Sequence, residues 1–272
     1  MPRMPDQICI FCGESNKPSK EDVFAKWIRR EFGQTKIVIK PSTYYPKSNI
    51  SQYPIRSKRG LGVISNAPCM PCNTQWMSRL ENDCKPFLAP MMHGKKSSLT
   101  SEQHELIVRW FLKIAMMLEF KGDTSVPRYF TTEERLALCK QGTIPEGILV
   151  SSACRAKTRD THHFSATRLE IDNDGESLYA YAATMSIKQL ALQLCFVREF
   201  KRIVDFSWPP IFPPLWNDAV IDIWPSPGTI TWPPKAMLDL TMFEIFPLDG
   251  AVGFDNLCLD IPAFPAEKSK RP

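Results

Sequence analysis

The stretches that decide the reading are Cys9-Ile-Phe-Cys12 and Cys69-Met-Pro-Cys72, the second running on as Asn73-Thr-Gln-Trp76-Met77-Ser-Arg-Leu80-Glu81. Each Cys-x-x-Cys knuckle offers two thiolates to one ion. Two knuckles complete the tetrahedral sulfur shell that zinc prefers, with bonds of about 2.3 Å. A redox Cys-x-x-Cys normally stands alone beside a βαβ pattern, whereas residues 13–68 between these pairs are rich in Lys, Ser and Pro. The spacing therefore predicts a structural Zn2+ site with Cys9, Cys12, Cys69 and Cys72 as ligands. The remaining cysteines, Cys84, Cys139, Cys154, Cys195 and Cys258, are scattered, mostly in apolar runs such as LQLCF and NLCLD, and read as small buried hydrophobes.

Between the knuckles, Ser19-Lys-Glu-Asp22 has capping-box spacing ahead of Val23, Phe24, Trp27, Ile28 and Phe32, which predicts a helix over about 20–32. From Lys36 to Pro68 only IVIK and LGVIS are β-like, so a hairpin and a long loop are expected. After Cys72, residues Trp76, Met77, Leu80 and Cys84 repeat every three to four and place a helix directly on the second knuckle. Knuckle, hairpin, knuckle and helix is a treble-clef order. Trp27 and Trp76 sit within these helical patterns and read as core residues rather than stacking platforms.

The chain has 272 residues, 43% hydrophobic and 23% charged, enough for one large or two modest globular domains. Its net charge of +5 is unevenly spread. Residues 1–100 hold 16 Lys and Arg against 7 Asp and Glu, a net +9, and the remainder carries −4. Local basic patches are Lys26, Arg29 and Arg30, then Arg56, Lys58 and Arg59, then Lys95 and Lys96. A basic face beside a zinc module is a footprint for phosphate, and the six residues of the first two patches are the candidate nucleic-acid contacts; a solvated surface is the commoner meaning of any single patch. The opening MPRMPDQICIFC lacks the apolar core of a signal peptide, and no run approaches the roughly 18 apolar residues of a membrane span. Free thiols without an export signal point to the cytoplasm and to no membrane partner.

In the second half, Leu106, Ile107, Trp110, Phe111, Ile114, Ala115 and Leu118 form a broad apolar stripe over about 101–120. Thr131-x-x-Glu134 is a capping box opening a helix to about Gln141. Strand patterns follow in GILVSSA, FSATRLEI and SLYAYAATM, the last two joined through Asp172-Asn-Asp-Gly175, and alternation over Leu190–Phe196 favours another. From Trp208 to Pro234 the prolines and tryptophans suggest a strap that wraps the sheet rather than joining a ladder. The expectation is an α+β protein: a treble-clef zinc module over residues 1–95 and a mixed helical and antiparallel β domain over 96–272, for partner binding or regulation.

CIFCGESNKPSKEDVFAKWI followed by CMPCNTQWMSRLE resembles the HNH endonucleases of the four-cysteine type. The likeness continues in a KPFL segment, in Trp110-Phe-Leu-Lys113 and in a late Ile-Trp-Pro and Trp-Pro-Pro. The resemblance implies a ββα-metal nuclease site, a DNA partner and metal-dependent phosphodiester hydrolysis with one Mg2+ or Mn2+; a place in phage defence would rest on analogy alone. The family string reads Glu-His-Val-Phe-Pro-x-Trp, and here Glu21-Asp22-Val23-Phe24-Ala25-Lys26-Trp27 stands in its place, with Asp22 where the family carries its general base. Asp22 has three readings: a substitute base or metal ligand with Glu21, the mark of a degenerate site that keeps binding only, or a helix-capping residue. Asn73 either orients the active-site loop, as the resemblance implies, or caps a helix. Glu81 is either a ligand or a surface charge paired with a neighbouring Lys or Arg. His93, His162 and His163 are the imidazoles that could replace the missing base. Against the nuclease stands a reading from another class, a catalytically inactive zinc-finger scaffold that binds DNA or a protein partner through its second domain.

Overall fold

A computed structural model describes residues 6–33, 36–39, 43–45, 51–52, 63–120, 128–155, 161–173, 176–199 and 218–237. In chain order the first elements are β1 (Gln7–Ile8), β2 (Ser15–Asn16), β3 (Glu21–Asp22), α1 (Lys26–Phe32), β4 (Lys36–Ile39), β5 (Thr43–Tyr45), β6 (Ser51–Gln52) and β7 (Ile64–Ser65). Then come α2 (Met70–Cys72), a π-helical turn (Asn73–Met77), α3 (Ser78–Met92), β8 (Ser97–Leu99), α4 (Ser101–Glu119) and α5 (Thr132–Gln141). The last are β9 (Ile148–Cys154), β10 (Thr161–Asn173), β11 (Glu176–Ile187), β12 (Leu190–Glu199), β13 (Val220–Trp224) and β14 (Ile230–Trp232). The class is α+β, with one eight-stranded, largely antiparallel sheet and three two-stranded ones.

β1 and β2 pair antiparallel, Gln7 opposite Asn16, and turn around the first knuckle. Gly13 takes φ 74° there, a left-handed conformation that a side chain would strain. β3 pairs antiparallel with β7, and the contact extends both ways: Val23 N–H donates to Val63 O at 2.7 Å, Ser19 N–H to Pro68 O at 2.9 Å and Met70 N–H to Lys17 O at 3.1 Å. This ladder corrects the helix expected over 20–32. Backbone pairing holds the chain extended through Asp22, so α1 starts only at Lys26 with Ala25 at its N-cap. Ser19 and Asp22 cap nothing; a tertiary ladder outweighs a local capping preference of about 1 kcal/mol.

The expected helix on the second knuckle forms, and Met77, Leu80, Cys84, Phe87, Leu88 and Met91 are buried along it. Beside it runs α4, opened by the Thr100–Gln103 capping box and buried from Ile107 to Glu119 except at Arg109. A helix apolar on nearly every face must be enclosed, and α3 and β13 both pack on it. The Thr131–Glu134 box opens α5 as expected, and Gly142 ends it in the left-handed conformation.

The large sheet runs β13-β9-β12-β11-β10-β5-β6, with β4 also on β10. β10 and β11 form a long hairpin in register from His163↔Ser186 to Asn173↔Glu176. Two features were not expected. The segment between the knuckles leaves the knuckle module and joins this sheet, β4 and β5 lying parallel to β10 at Lys36↔Thr161 and Thr43↔Thr167. The Trp-Pro strap also joins ladders, as β13 on β9 and β14 on β8, because its prolines fall just outside the strands. Trp208–Trp216 lies outside the described residues.

Candidate metal centre and adjoining cleft

The β1–β2 turn carries Cys9 and Cys12. The ladder between residues 17–23 and 63–70 then brings Cys69 against Pro18, and Cys72 follows one helical turn later. Cys9 Sγ lies 3.8 Å from Cys72 Sγ and Cys12 Sγ lies 3.7 Å from Cys69 Sγ. All four ligand atoms lie within 4.8 Å of one another. A tetrahedron with zinc–sulfur bonds of about 2.3 Å has edges of about 3.8 Å, so the spacing fits that ion. Phe11 N–H and Cys69 N–H point at Cys9 Sγ from 3.4 and 3.3 Å. The Cys9–Cys72 hydrogen bond above all, with those backbone donors, lowers the Cys9 thiol, while burial first raises that of Cys69 and the neighbouring thiols raise that of Cys72. Among the described residues this is the one group of three or more His, Cys, Asp or Glu whose ligand atoms converge so closely.

Beside the second knuckle opens a cleft of about 630 Å³, lined by Pro18, Lys20, Lys26, Met70, Asn73, Thr74 and Ser78. Asn73 sits inside the π-helical turn, where its side-chain amide donates to the hydroxyl of fully buried Ser19 at 3.1 Å. The N-cap of α2 is Cys69, so the capping role for Asn73 is corrected. Asn73 instead ties the helix to the chain entering β3. Lys20 and Lys26 are exposed at the mouth, and no carboxylate or imidazole lines the cleft among the described residues.

The acidic candidates sit elsewhere. Asp22 is 6% exposed and faces Arg29 Nη1 at 3.7 Å. Glu81 pairs with the ammonium of Lys113, which is fully buried on α4. Glu21, also 6% exposed, is raised to about 7, chiefly by burial and further by the Glu81 and Asp22 carboxylates, against the pull of Lys113 and Lys26. Glu21, Glu81 and Lys113 thus make a largely buried charge cluster, and Glu81 is paired with a lysine but not at the surface as its paired reading expected. His93 is engaged by Glu31 at 3.1 Å and lies against the Phe32 ring, in a separate small cleft with Lys188 and Gln189. His162 and His163 lie on β10 opposite Ile37 and Val38 of β4.

Lys26 and Arg30 are exposed and Arg29 is half-buried on α1, while Arg56, Lys58 and Arg59 lie outside the described residues. Trp27 is a core residue as expected, and Trp76 is partly buried against the core, edge-on to Phe11 at 5.1 Å. Sequence reasoning missed Lys20, hidden in the supposed capping box, and Lys113, absorbed in an apolar stripe. Cys84, Cys154 and Cys195 are buried as expected, with burial pushing the Cys154 thiol to about 11 and that of Cys195 to about 12; Cys139 is partly buried against the same core, and its place 3.9 Å from Cys72 Sγ was not foreseen. Cys258 lies outside the described residues. No family model, characterised protein or solved structure matches the chain. No helix among the described residues is long and apolar enough to cross a membrane.

Proposed function

We propose that this chain is a DNA-binding protein of HNH type, whose zinc-held treble clef presents the Lys20–Lys26–Asn73 cleft to the phosphate backbone. The observation that carries the reading is that cleft: two exposed lysines, an amide and two hydroxyls beside the second knuckle of a four-cysteine site. Lysine ammonium groups act as point charges on phosphate, while Asn73, Thr74 and Ser78 supply hydrogen bonds. Arg29 and Arg30 extend the footprint along α1. Such contacts position a duplex without reading its sequence, and binding falls steeply with salt.

Zinc, held by Cys9, Cys12, Cys69 and Cys72, supplies structure. It fixes the ladder that carries Ser19 and the helix that carries Asn73. Cleavage would require Glu21, Asp22 and Glu81 to hold Mg2+ or Mn2+ near that cleft, and their present partners, Arg29 and Lys113, favour binding without turnover. Losing the general base typically removes about 10² to 10⁴ in rate. Fluorescence anisotropy with duplex DNA between 50 and 200 mM salt tests the reading. Binding that weakens with salt and falls at least about tenfold in Lys20→Glu/Lys26→Glu, with zinc content retained, supports it. Unchanged affinity in that variant sinks it. A plasmid-nicking assay with Mg2+ or Mn2+, wild type against Asp22→His, separates a silent nuclease from an active one.

A further inference from the structure

A fifth sulfur stands at the metal centre. Four thiolates fill a structural zinc shell, and Cys139 is not needed as a ligand. Yet its Sγ lies 3.9 Å from Cys72 Sγ, about as close as the ligands lie to each other, and it is partly buried where Cys72 is 5% exposed. The approach is built into the fold. Arg135, one turn before Cys139 on α5, is buried and donates from Nε to Ile10 O inside the first knuckle at 2.9 Å. Its other nitrogens donate to Phe130 O and Thr132 Oγ1, and the guanidinium lies over the Phe120 ring. The helix is thereby docked onto the zinc site with Cys139 facing its edge.

We propose that Cys72 and Cys139 form a peroxide-responsive pair: oxidation joins them as a disulfide, withdraws one of the four zinc ligands and releases the metal. One sulfur attacks the peroxide O–O bond and becomes a sulfenic acid as one water leaves. The other sulfur then displaces the sulfenic hydroxyl as a second water. The Cys72 thiolate, the Cys139 thiol, one hydrogen peroxide and one proton from solvent give one disulfide and two waters, the two electrons passing from sulfur to peroxide. The pairs Cys9–Cys72 and Cys12–Cys69 are equally close, but both partners of each belong to the shell and have their electron pairs committed to the ion. Cys139 is the sulfur that reaches a ligand from outside. A bond of about 2.05 Å requires the two sulfurs to close by nearly 2 Å, a movement for the side chain of partly buried Cys139 once Cys72 leaves the ion. Because Met70, Asn73, Thr74 and Ser78 share the helix of Cys72, loss of zinc also disassembles the cleft, a consequence that rests on the DNA-binding reading.

The test uses the zinc-loaded full-length protein and stoichiometric hydrogen peroxide. Zinc release is followed with a metallochromic dye, and disulfides are mapped by mass spectrometry of non-reduced peptides. The wild type should release its zinc with a Cys72–Cys139 cross-link, and a dithiol with added zinc should reverse both. Cys139→Ser and Cys139→Ala, chosen to contain equal zinc before oxidation, should release it at least about tenfold more slowly. Release at the wild-type rate in both variants, or a map with links only among Cys9, Cys12, Cys69 and Cys72, overturns the proposal. Zinc release and the cross-link as described, in a protein that never binds DNA, would uphold the pair and reject the DNA-binding reading.

Discussion

The knuckle module and the sheet behind it are held by opposite means. β1, β2, β3 and β7 have two residues each, whereas β10 and β11 run for 13 and 12. Two-residue ladders recover little of the entropy of ordering the loops around them, so the module relies further on the convergence of its four cysteine sulfurs. The sheet and α4 depend on burial: Trp110, Phe111, Leu112, Ile114 and Ala115 are fully enclosed. The buried side chains nevertheless form one cluster, from Phe11 and Val23 to Trp232. One part is fixed by geometry and the other by area, and they meet across a shared interior.

Zinc removal is the widest test of that contrast. Structural zinc contributes about 10 to 16 kcal/mol of apparent binding energy, so chelation or Cys69→Ser should expose residues 6–33 and 63–80 to protease while the β-sheet circular dichroism persists. Simultaneous melting of the sheet would show one cooperative unit and break the contrast. Trp110→Ala should do the converse, lowering global stability by about 4 kcal/mol without changing zinc affinity. Chemical denaturation read by both signals checks it.

Lys113→Met probes the seam between the parts. It strands Glu81 and Glu21 without their buried cation and should cost about 3 kcal/mol, most of it recovered in Lys113→Met/Glu81→Gln. A double variant no better than the single would deny the pairing. Glu21 sharpens the same seam through pH. Its folded value of about 7 lies above the 4.5 of the unfolded chain, so the folded state keeps a proton that the unfolded state has lost. Stability from this group is full below about 4.5 and is lost as pH rises through 7. Glu21→Gln should flatten that slope, as urea titrations from pH 5 to 8 will show. The smallest effect belongs to the cap of α5: Thr131→Ala should cost about 1 kcal/mol, read as a modest shift in the denaturation midpoint.

What could be read from the chain follows the same division. The four convergent cysteines, α4, the Thr131–Glu134 capping box and the β10–β11 hairpin were legible because each is encoded within a few neighbouring residues, whereas the Thr100–Gln103 box was missed. The start of α1 was not, because Ser19 obeys a ladder to residues 63–70 that no local pattern records. For the same reason Lys20 was hidden and Asn73 looked like a cap. Lys113 could not be paired with Glu81, nor Cys139 with Cys72, until α4 and α5 were placed in space.

The strand Lys36–Ile39 has a further consequence, for biosynthesis. Its partner begins at Thr161, 125 positions later in the chain. At about 5 to 20 residues per second a ribosome takes roughly 6 to 25 s to cover that distance. The four-cysteine site can close as soon as Cys72 is out of the exit tunnel, and closing it leaves the stretch between α1 and β7 tethered at both ends as an arm. That arm carries Lys36-Ile-Val-Ile39 with no strand to join until the second half of the chain emerges. Nascent chains are therefore most exposed to mispairing while α4 is being made, and this arm is where a translational pause or a chaperone would leave its mark.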